Sequence, residues 1–156
     1  MTNNDILRRL RYTFDFSDDK MIELFGSADL TVTRAQISDW MKKEEDPAFQ
    51  KMEDRTLAIF LNGFINSKRG KKSGAQPQPE EQLNNNIILR KLKIALTLKD
   101  EDIMDIMELV GLTFSKHEIS AFFRKFTQSQ YRVCKDQFLR NFLKGLQVQY
   151  RVWLSW

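Results

Sequence analysis

Apolar residues recur along the chain with the period of an α-helix, and the whole pattern is repeated 82 residues later. Apolar positions spaced in this way form a single stripe on a helix with 3.6 residues per turn. The first helix carries the stripe as Ile6, Leu7, Leu10 and Phe14, and the second copy carries it as Ile88, Leu89, Leu92 and Leu96. The pattern predicts helix in both copies.

The repeat extends far beyond this first helix. Residues 3–65 align with residues 85–147 without a gap, and 17 of the 63 aligned pairs are identical, where ordinary residue frequencies would give roughly four. The sequence therefore predicts an all-α fold made by tandem duplication of a four-helix repeat. A repeat of this size has a marginal core by itself, so we expect the two copies to pack together about a pseudo-two-fold axis.

Local signals place the later helices of each copy. Helix 3 opens with a capping box twice, Thr33 to Gln36 and Ser115 to Glu118, in which the two side chains cover free backbone amides. Helix 4 is the most apolar element and is predicted at the centre of each core. The expected caps are Asn3 or Asn4 and Asn85 or Asn86 for helix 1, and Asp54 and Asp136 for helix 4.

Two matched glycines, Gly63 and Gly145, fall in the middle of helix 4. Glycine at such a position costs about 1 kcal/mol relative to alanine. A close crossing with a neighbouring helix is the expected reason for keeping it.

Composition divides the chain into four parts. The predicted boundaries are 1–66 for the first helical repeat, 67–83 for a flexible linker, 84–150 for the second helical repeat and 151–156 for a Trp-containing tail. Residues 66–82 hold two glycines, two prolines and no large apolar residue, which is typical of a linker.

Charge is spread unevenly over a chain whose formal net charge is +4. Nine basic and twelve acidic residues give −3 for residues 1–65, whereas twelve basic and seven acidic residues give +5 for residues 84–156. Such asymmetry favours either docking of the two halves on each other or contact of the second half with an anionic partner.

Basic residues occupy six matched positions in the two copies. The pairs are Arg8 and Arg90, Arg9 and Lys91, Arg11 and Lys93, Arg34 and Lys116, Lys42 and Arg124, and Lys43 and Lys125. A duplicated basic surface suits the phosphate backbone of RNA or DNA. The first functional hypothesis is therefore a nucleic-acid-associated accessory or regulatory protein, and a solvated face with ordinary i,i+4 ion pairs is the alternative.

A second hypothesis is a protein-interaction adaptor. A groove between the copies, or the tail residues Trp153 and Trp156, would hold a partner helix; docking of the tail on the protein's own surface is the alternative for the two tryptophans. Helices 2 and 3 also invite comparison with a helix-turn-helix, but Trp40 and Met41 look committed to the core.

Motifs of catalysis and metal binding are missing. His117 is the only histidine and lies inside a capping box, and Cys134 is the only cysteine, so nothing completes a zinc site. We expect no enzyme activity, no cofactor and no metal. The chain has no run long enough to span a membrane and its polar start differs from a signal peptide, which favours a cytoplasmic protein.

Several segments resemble a known family. They are NNDILRRLRYTFDFSDDKMIELF at 3–25, DWMKKEEDPAFQ at 39–50, FLNGFINSKRGK at 60–71, NNNIILRKLKIAL at 84–96 and DQFLRNFLKGL at 136–146. Together they resemble the YehS-like family of small bacterial cytoplasmic proteins, a domain-of-unknown-function family built from two tandem copies. The likeness covers the chain up to Gln149. It implies the duplication and a bacterial cytoplasmic origin, and it brings no activity, cofactor or site residue.

Overall fold

The computed structural model describes residues 1–151, and every regular element in that range is helical. The chain separates into two compact units: unit 1 comprises Met1–Leu83 and unit 2 begins at Asn84. Each unit contains one copy of the repeat. The packing of the copies against each other stays a prediction from the sequence.

Each unit contains four α-helices, as the repeated pattern predicted. Unit 1 has α1 (Asn3–Phe14), α2 (Asp18–Ser27), α3 (Arg34–Met41) and α4 (Asp54–Arg69). Unit 2 has α5 (Asn85–Ala95), α6 (Asp100–Glu108), α7 (Lys116–Ser120) and α8 (Asp136–Leu146). A 3₁₀ turn, Ala121–Phe123, follows α7, and a π-helical turn, Gln147–Arg151, follows α8.

The last helix of each unit lies at the centre of its core. Every residue of α4 from Leu57 to Phe64 is buried, and α8 buries Phe138, Leu139, Phe142, Leu143, Gly145 and Leu146. Trp40 is half-buried and packs against Phe25, with 5.5 Å between ring centroids. The central position predicted for helix 4 is confirmed.

The matched glycines mark helix crossings, as expected. A Cβ added at Gly63 of α4 would lie 1.9 Å from the backbone oxygen of Leu24 in α2, and one at Gly145 of α8 would lie 2.6 Å from Ile106 of α6. These distances are too short for any side chain. Glycine is required in both copies because the helix backbones touch there.

Both predicted capping boxes are confirmed. Thr33 Oγ1 accepts from the backbone N–H of Gln36 at 3.1 Å, and the Thr33 N–H donates to Gln36 Oε1 at 2.8 Å. Ser115 and Glu118 make the same two bonds at 3.1 and 2.9 Å.

The caps predicted for the first and fourth helices of each copy are wrong by one or two residues. Thr2 and Asn84 cap α1 and α5, while Glu53 and Lys135 stand at the cap positions of α4 and α8 without a side-chain cap bond. The predicted cap residues instead pair with each other: Asn3 Nδ2 donates to Asp54 Oδ1, and Asn85 Nδ2 donates to Asp136 Oδ1, at 2.7 Å in both units. The sequence pattern predicts a local cap at each asparagine because the aspartate partner, 51 residues away, leaves no local signal.

The remaining asparagine of each copy, Asn4 or Asn86, is buried and holds the irregular segment that follows the third helix. Asn4 Nδ2 donates to the carbonyl oxygens of Trp40 (2.9 Å) and Gln50 (2.8 Å), and Asn4 Oδ1 accepts from the N–H of Met52 (2.9 Å). In unit 2, Asn86 makes the same three bonds to Phe122 (3.1 Å), Arg132 (2.9 Å) and Cys134 (2.9 Å). We call this arrangement the asparagine clamp. It satisfies backbone groups that no helix covers.

The segment after α4 is bonded back to that helix. Helix α4 itself continues to Arg69, three residues into the predicted linker. Beyond it, Asn66 Nδ2 donates to Gln76 Oε1 at 2.9 Å, and the N–H of Leu83 donates to Asp54 Oδ2 at 2.8 Å. These bonds attach residues 70–83 to unit 1.

The crossing glycine of α4 gives a first prediction. Gly63→Ala would force α4 and α2 apart, because the new methyl group meets backbone and not a movable side chain; we expect the free energy of unfolding to fall by about 3 kcal/mol. Gly26→Ala is the control, since Gly26 is helical with open space around it and should gain up to about 1 kcal/mol. Urea unfolding followed by circular dichroism measures the free energy of unfolding of both variants. Equal values for Gly63→Ala and Gly26→Ala would contradict the close crossing of α4 and α2.

The asparagine clamp gives a second prediction. Asn86→Leu leaves two carbonyls and one N–H without their bonds, so the segment around the buried Cys134 should open more often. We expect the Cys134 thiol to react with a disulfide reagent more than tenfold faster than in the unchanged protein. Thr127→Ala, on the exposed loop, is the control and should leave the rate unchanged. A clamp variant with an unchanged rate would show that the segment is held by other contacts.

Candidate nucleic-acid interface

The first matched pair of basic residues, Arg8 and Arg90, covers the C-terminal end of the third helical element. Arg8 Nη1 donates to the carbonyl oxygen of Lys42 at 2.8 Å, and Arg90 Nη2 donates to that of Phe123 at 3.4 Å. Cations are favourable there because the final carbonyls of a helix have no partner within it. This contact explains why both copies keep a cation at this position.

A second pair joins the first helix to the start of the second. Arg11 Nη2 lies 2.7 Å from Asp18 Oδ1, and Lys93 Nζ lies 2.8 Å from Asp100 Oδ1. Lys93 also sits over the ring of Phe123, 4.0 Å from its centroid. Both acids belong to the first turn of their helix, where the dipole favours negative charge.

A third pair, Arg34 and Lys116, connects the starts of the second and third helices. Arg34 forms ion pairs with Asp18 and Asp19, and Lys116 Nζ lies 2.8 Å from Glu101 Oε1. The hydrogen bond from Lys116 lowers the pKa of the Glu101 carboxyl and raises that of the Lys116 ammonium. Three of the six matched pairs therefore make the same intramolecular contact in both units.

Among the other three pairs, Lys42 and Arg124 differ in their contacts. Arg9 and Lys91 are half-buried on α1 and α5. Lys42 Nζ donates to Asp39 and Ser38 at 3.1 Å each, whereas the matched Arg124 has a buried Nε without a hydrogen-bond partner. Lys43 and Lys125 are both exposed.

Unit 2 brings three of the predicted cations, Arg90, Arg124 and Lys125, to one cleft of about 340 Å³. The other lining residues are Asn84, Asn86, Ile87, Phe126, Thr127 and Tyr131. No carboxylate is among these nine residues, all of which lie within the described range. We call this surface the basic cleft.

The matched positions of unit 1 carry equal numbers of both charges. Arg8, Lys42 and Lys43 replace the three cations, but Asp5, Glu44 and Glu45 stand where unit 2 has Ile87, Phe126 and Thr127. The formal charge of the matched set is therefore zero in unit 1 and +3 in unit 2.

One of the three acids of unit 1, Asp5, is paired with Arg8. Burial by itself would raise the pKa of Asp5, but hydrogen bonds from Thr2 and Arg8 outweigh it and hold the pKa below its ordinary value. The carboxylate therefore stays charged beside the arginine. Unit 2 has isoleucine at this position, so the matched Arg90 lacks this particular neutralising partner.

Sequence reasoning missed two aromatic residues of the cleft. Phe126 has 80% of its surface exposed, and Tyr131 is half-buried. The signal was present in the aligned loops, where Glu44-Glu45-Asp46 is replaced by Phe126-Thr127-Gln128. Residues that the two copies share do not reveal it, because both aromatic side chains stand where the copies differ.

Other candidate chemistry is sparse in residues 1–151. That range contains no group of three His, Cys, Asp or Glu side chains placed to hold a metal, and none of its helices is both long and apolar enough to cross a membrane. Burial raises the pKa of the Cys134 thiol to about 12, with a smaller contribution from Asp136. His117 is exposed in the first turn of α7. Trp153 and Trp156 lie outside the described residues.

Comparison with known proteins gives two matches. Residues 3–70 and 85–151 each match the family described as "Protein of unknown function (DUF1456)", and these segments coincide with the two repeats. The chain is also 40% identical over 153 residues to "Uncharacterized protein YehS" of Escherichia coli (strain K12), an alignment that covers 97% of this chain and 98% of that protein. No solved structure matches the chain.

Proposed function

The chain belongs to the YehS-like DUF1456 family, and because that family is one of unknown function we propose a role from the residues themselves: a non-enzymatic accessory or regulatory protein that associates with the phosphate backbone of RNA or DNA. The family resemblance drawn from the sequence segments is confirmed by the same matches. The single observation that carries the proposal is the basic cleft of unit 2.

The cleft has the electrostatic character that a phosphate backbone requires. Arg90, Arg124 and Lys125 line it without a carboxylate among its lining residues, and the sequence from residue 84 onward carries +5. Polyanions bind to such surfaces by releasing counterions, which makes the affinity depend steeply on salt. Guanidinium groups add planar donors that match phosphate oxygens.

Backbone association is favoured over reading of base edges in a duplex groove. A helix-turn-helix protein inserts its second helix into the major groove, and the corresponding helix of unit 2, α7, has only five residues. The matching Lys116 is engaged with Glu101. These features support contact with phosphates over sequence reading by α7.

A binding role without catalysis agrees with the chemistry of the described residues. The single cysteine is buried with a raised pKa, so it is a poor nucleophile at neutral pH. The single histidine is exposed and is not among the residues that line the basic cleft. The cytoplasmic location expected from the sequence is part of the same proposal.

Anisotropy titration of a labelled mixed-sequence RNA and a DNA duplex of about 20 nucleotides tests the proposal. If the three cleft cations each neutralise one phosphate, raising the salt from about 50 to about 200 mM should weaken duplex binding roughly 40-fold. Lys125→Glu should weaken binding about tenfold and reduce the salt slope by about one.

The duplication supplies the matched control. Lys43→Glu reverses the same charge at the same position of unit 1, beside Glu44 and Glu45, and should change the affinity by less than about twofold. Equal effects of the two reversals would overturn the assignment to unit 2. Absence of binding at low salt would overturn the proposed function itself. In that case the adaptor hypothesis takes its place, and deletion of residues 152–156 should weaken binding of a protein partner.

A further inference from the structure

We infer that the basic cleft takes a single-stranded segment, with one unpaired base stacked on the ring of Phe126. The inference rests on the proposed function and names its substrate class. It follows from three features: the exposure of Phe126, the rigidity of the turn that carries it, and the difference between the two copies at that turn.

Phe126 is exposed to an unusual degree for its size. Its surface is 80% accessible, although burying a phenylalanine side chain is worth roughly 1.5–3 kcal/mol. The ring also lines the same cleft as Arg124 and Lys125. Proteins that bind single strands combine these two parts, a groove of cations that follows the backbone and an aromatic face on which a base stacks.

The turn that carries Phe126 is fixed by hydrogen bonds. The backbone N–H of Lys125 donates to Gln128 Oε1 at 2.9 Å, and the N–H of Gln128 donates to the carbonyl oxygen of Lys125 at 2.9 Å. A further bond joins the N–H of Tyr131 to the carbonyl oxygen of Gln128 at 3.1 Å. The ring is therefore presented from a preorganised turn, which reduces the entropy lost on binding.

Unit 1 has the same turn with different side chains. The bonds from Asp46 to Lys43 and from Phe49 to Asp46, both 3.0 Å, repeat the backbone pattern of unit 2. The position of Phe126 is occupied by Glu44, which repels phosphate and offers no stacking face. Because the backbone is shared, the phenylalanine is not required to form the turn.

Single strands fit this arrangement better than duplexes do. The faces of paired bases are covered by their neighbours in a duplex, whereas an unpaired base can be splayed out onto an aromatic ring. Duplex would then engage only the cations. We expect the protein to prefer single strands to a duplex of the same length.

The test compares oligouridylate of about 12 nucleotides with a DNA duplex of the same length, by anisotropy with the full-length chain. Phe126→Ala should weaken binding of the oligouridylate about tenfold or more and change duplex binding by less than twofold. The slope of affinity against salt should stay the same, because stacking releases no counterions. Lys125→Glu, in contrast, should lower that slope by about one.

Two further variants sharpen the result. Phe126→Trp should keep the affinity, and its fluorescence should be quenched when oligouridylate binds. Tyr12→Ala removes another exposed aromatic side chain, 52% accessible and located in unit 1, and should have no effect on either ligand.

The possible failures are distinguishable. Absence of binding to either ligand by the unchanged protein would overturn the proposed function and this inference together. A different result would overturn the inference and leave the proposed function standing: the duplex binds with a salt-dependent affinity, and Phe126→Ala weakens binding of both ligands equally or weakens neither.

Discussion

The buried asparagine clamp is the contact on which the rest of each unit depends. The third helix and the last helix are separated by about a dozen residues of irregular chain, whose backbone groups need partners when they are buried. One side chain, Asn4 or Asn86, supplies three of those partners from the first helix. Each buried backbone group left without a hydrogen bond would lower the stability by about 1–3 kcal/mol. The clamp therefore closes the core and fixes the position of the loop after the third helix.

The clamp also connects the fold to the candidate site. Asn86 lines the basic cleft while its side chain holds the carbonyls of Phe122 and Arg132. The loop between those two residues carries Arg124, Lys125 and Phe126. A surface loop that is anchored at both ends by a buried side chain can present charged and aromatic groups in a defined arrangement, which is what binding with little loss of entropy requires.

Comparison of the two copies distinguishes residues that the fold requires from residues that give each unit its own surface. Cations such as Arg11 and Lys93 are matched because each ties the first helix to the second in its own unit, and a ligand is not needed to explain them. The three cations of the basic cleft have basic counterparts in unit 1, and the cleft differs from unit 1 because three acids are absent from it, among them Glu44, which is replaced by Phe126. A cation shared by the two copies is therefore not by itself evidence of a binding site, and the side chains that differ on an otherwise equal backbone distinguish the surface of unit 2 from that of unit 1.

The sequence by itself determined the all-α class, the duplication, the capping boxes and the helix crossings at Gly63 and Gly145. Each of these depends on spacing along the chain or on a repeat that can be counted, and such signals are local. Only the tertiary structure decided the roles of the asparagines and the cations, because most of their partners belong to another helix or to a loop: Asn4 bonds to Met52, and Arg11 pairs with Asp18 of the next helix. A helical period shows which face of a segment is buried, but which distant backbone group meets a side chain is decided by packing.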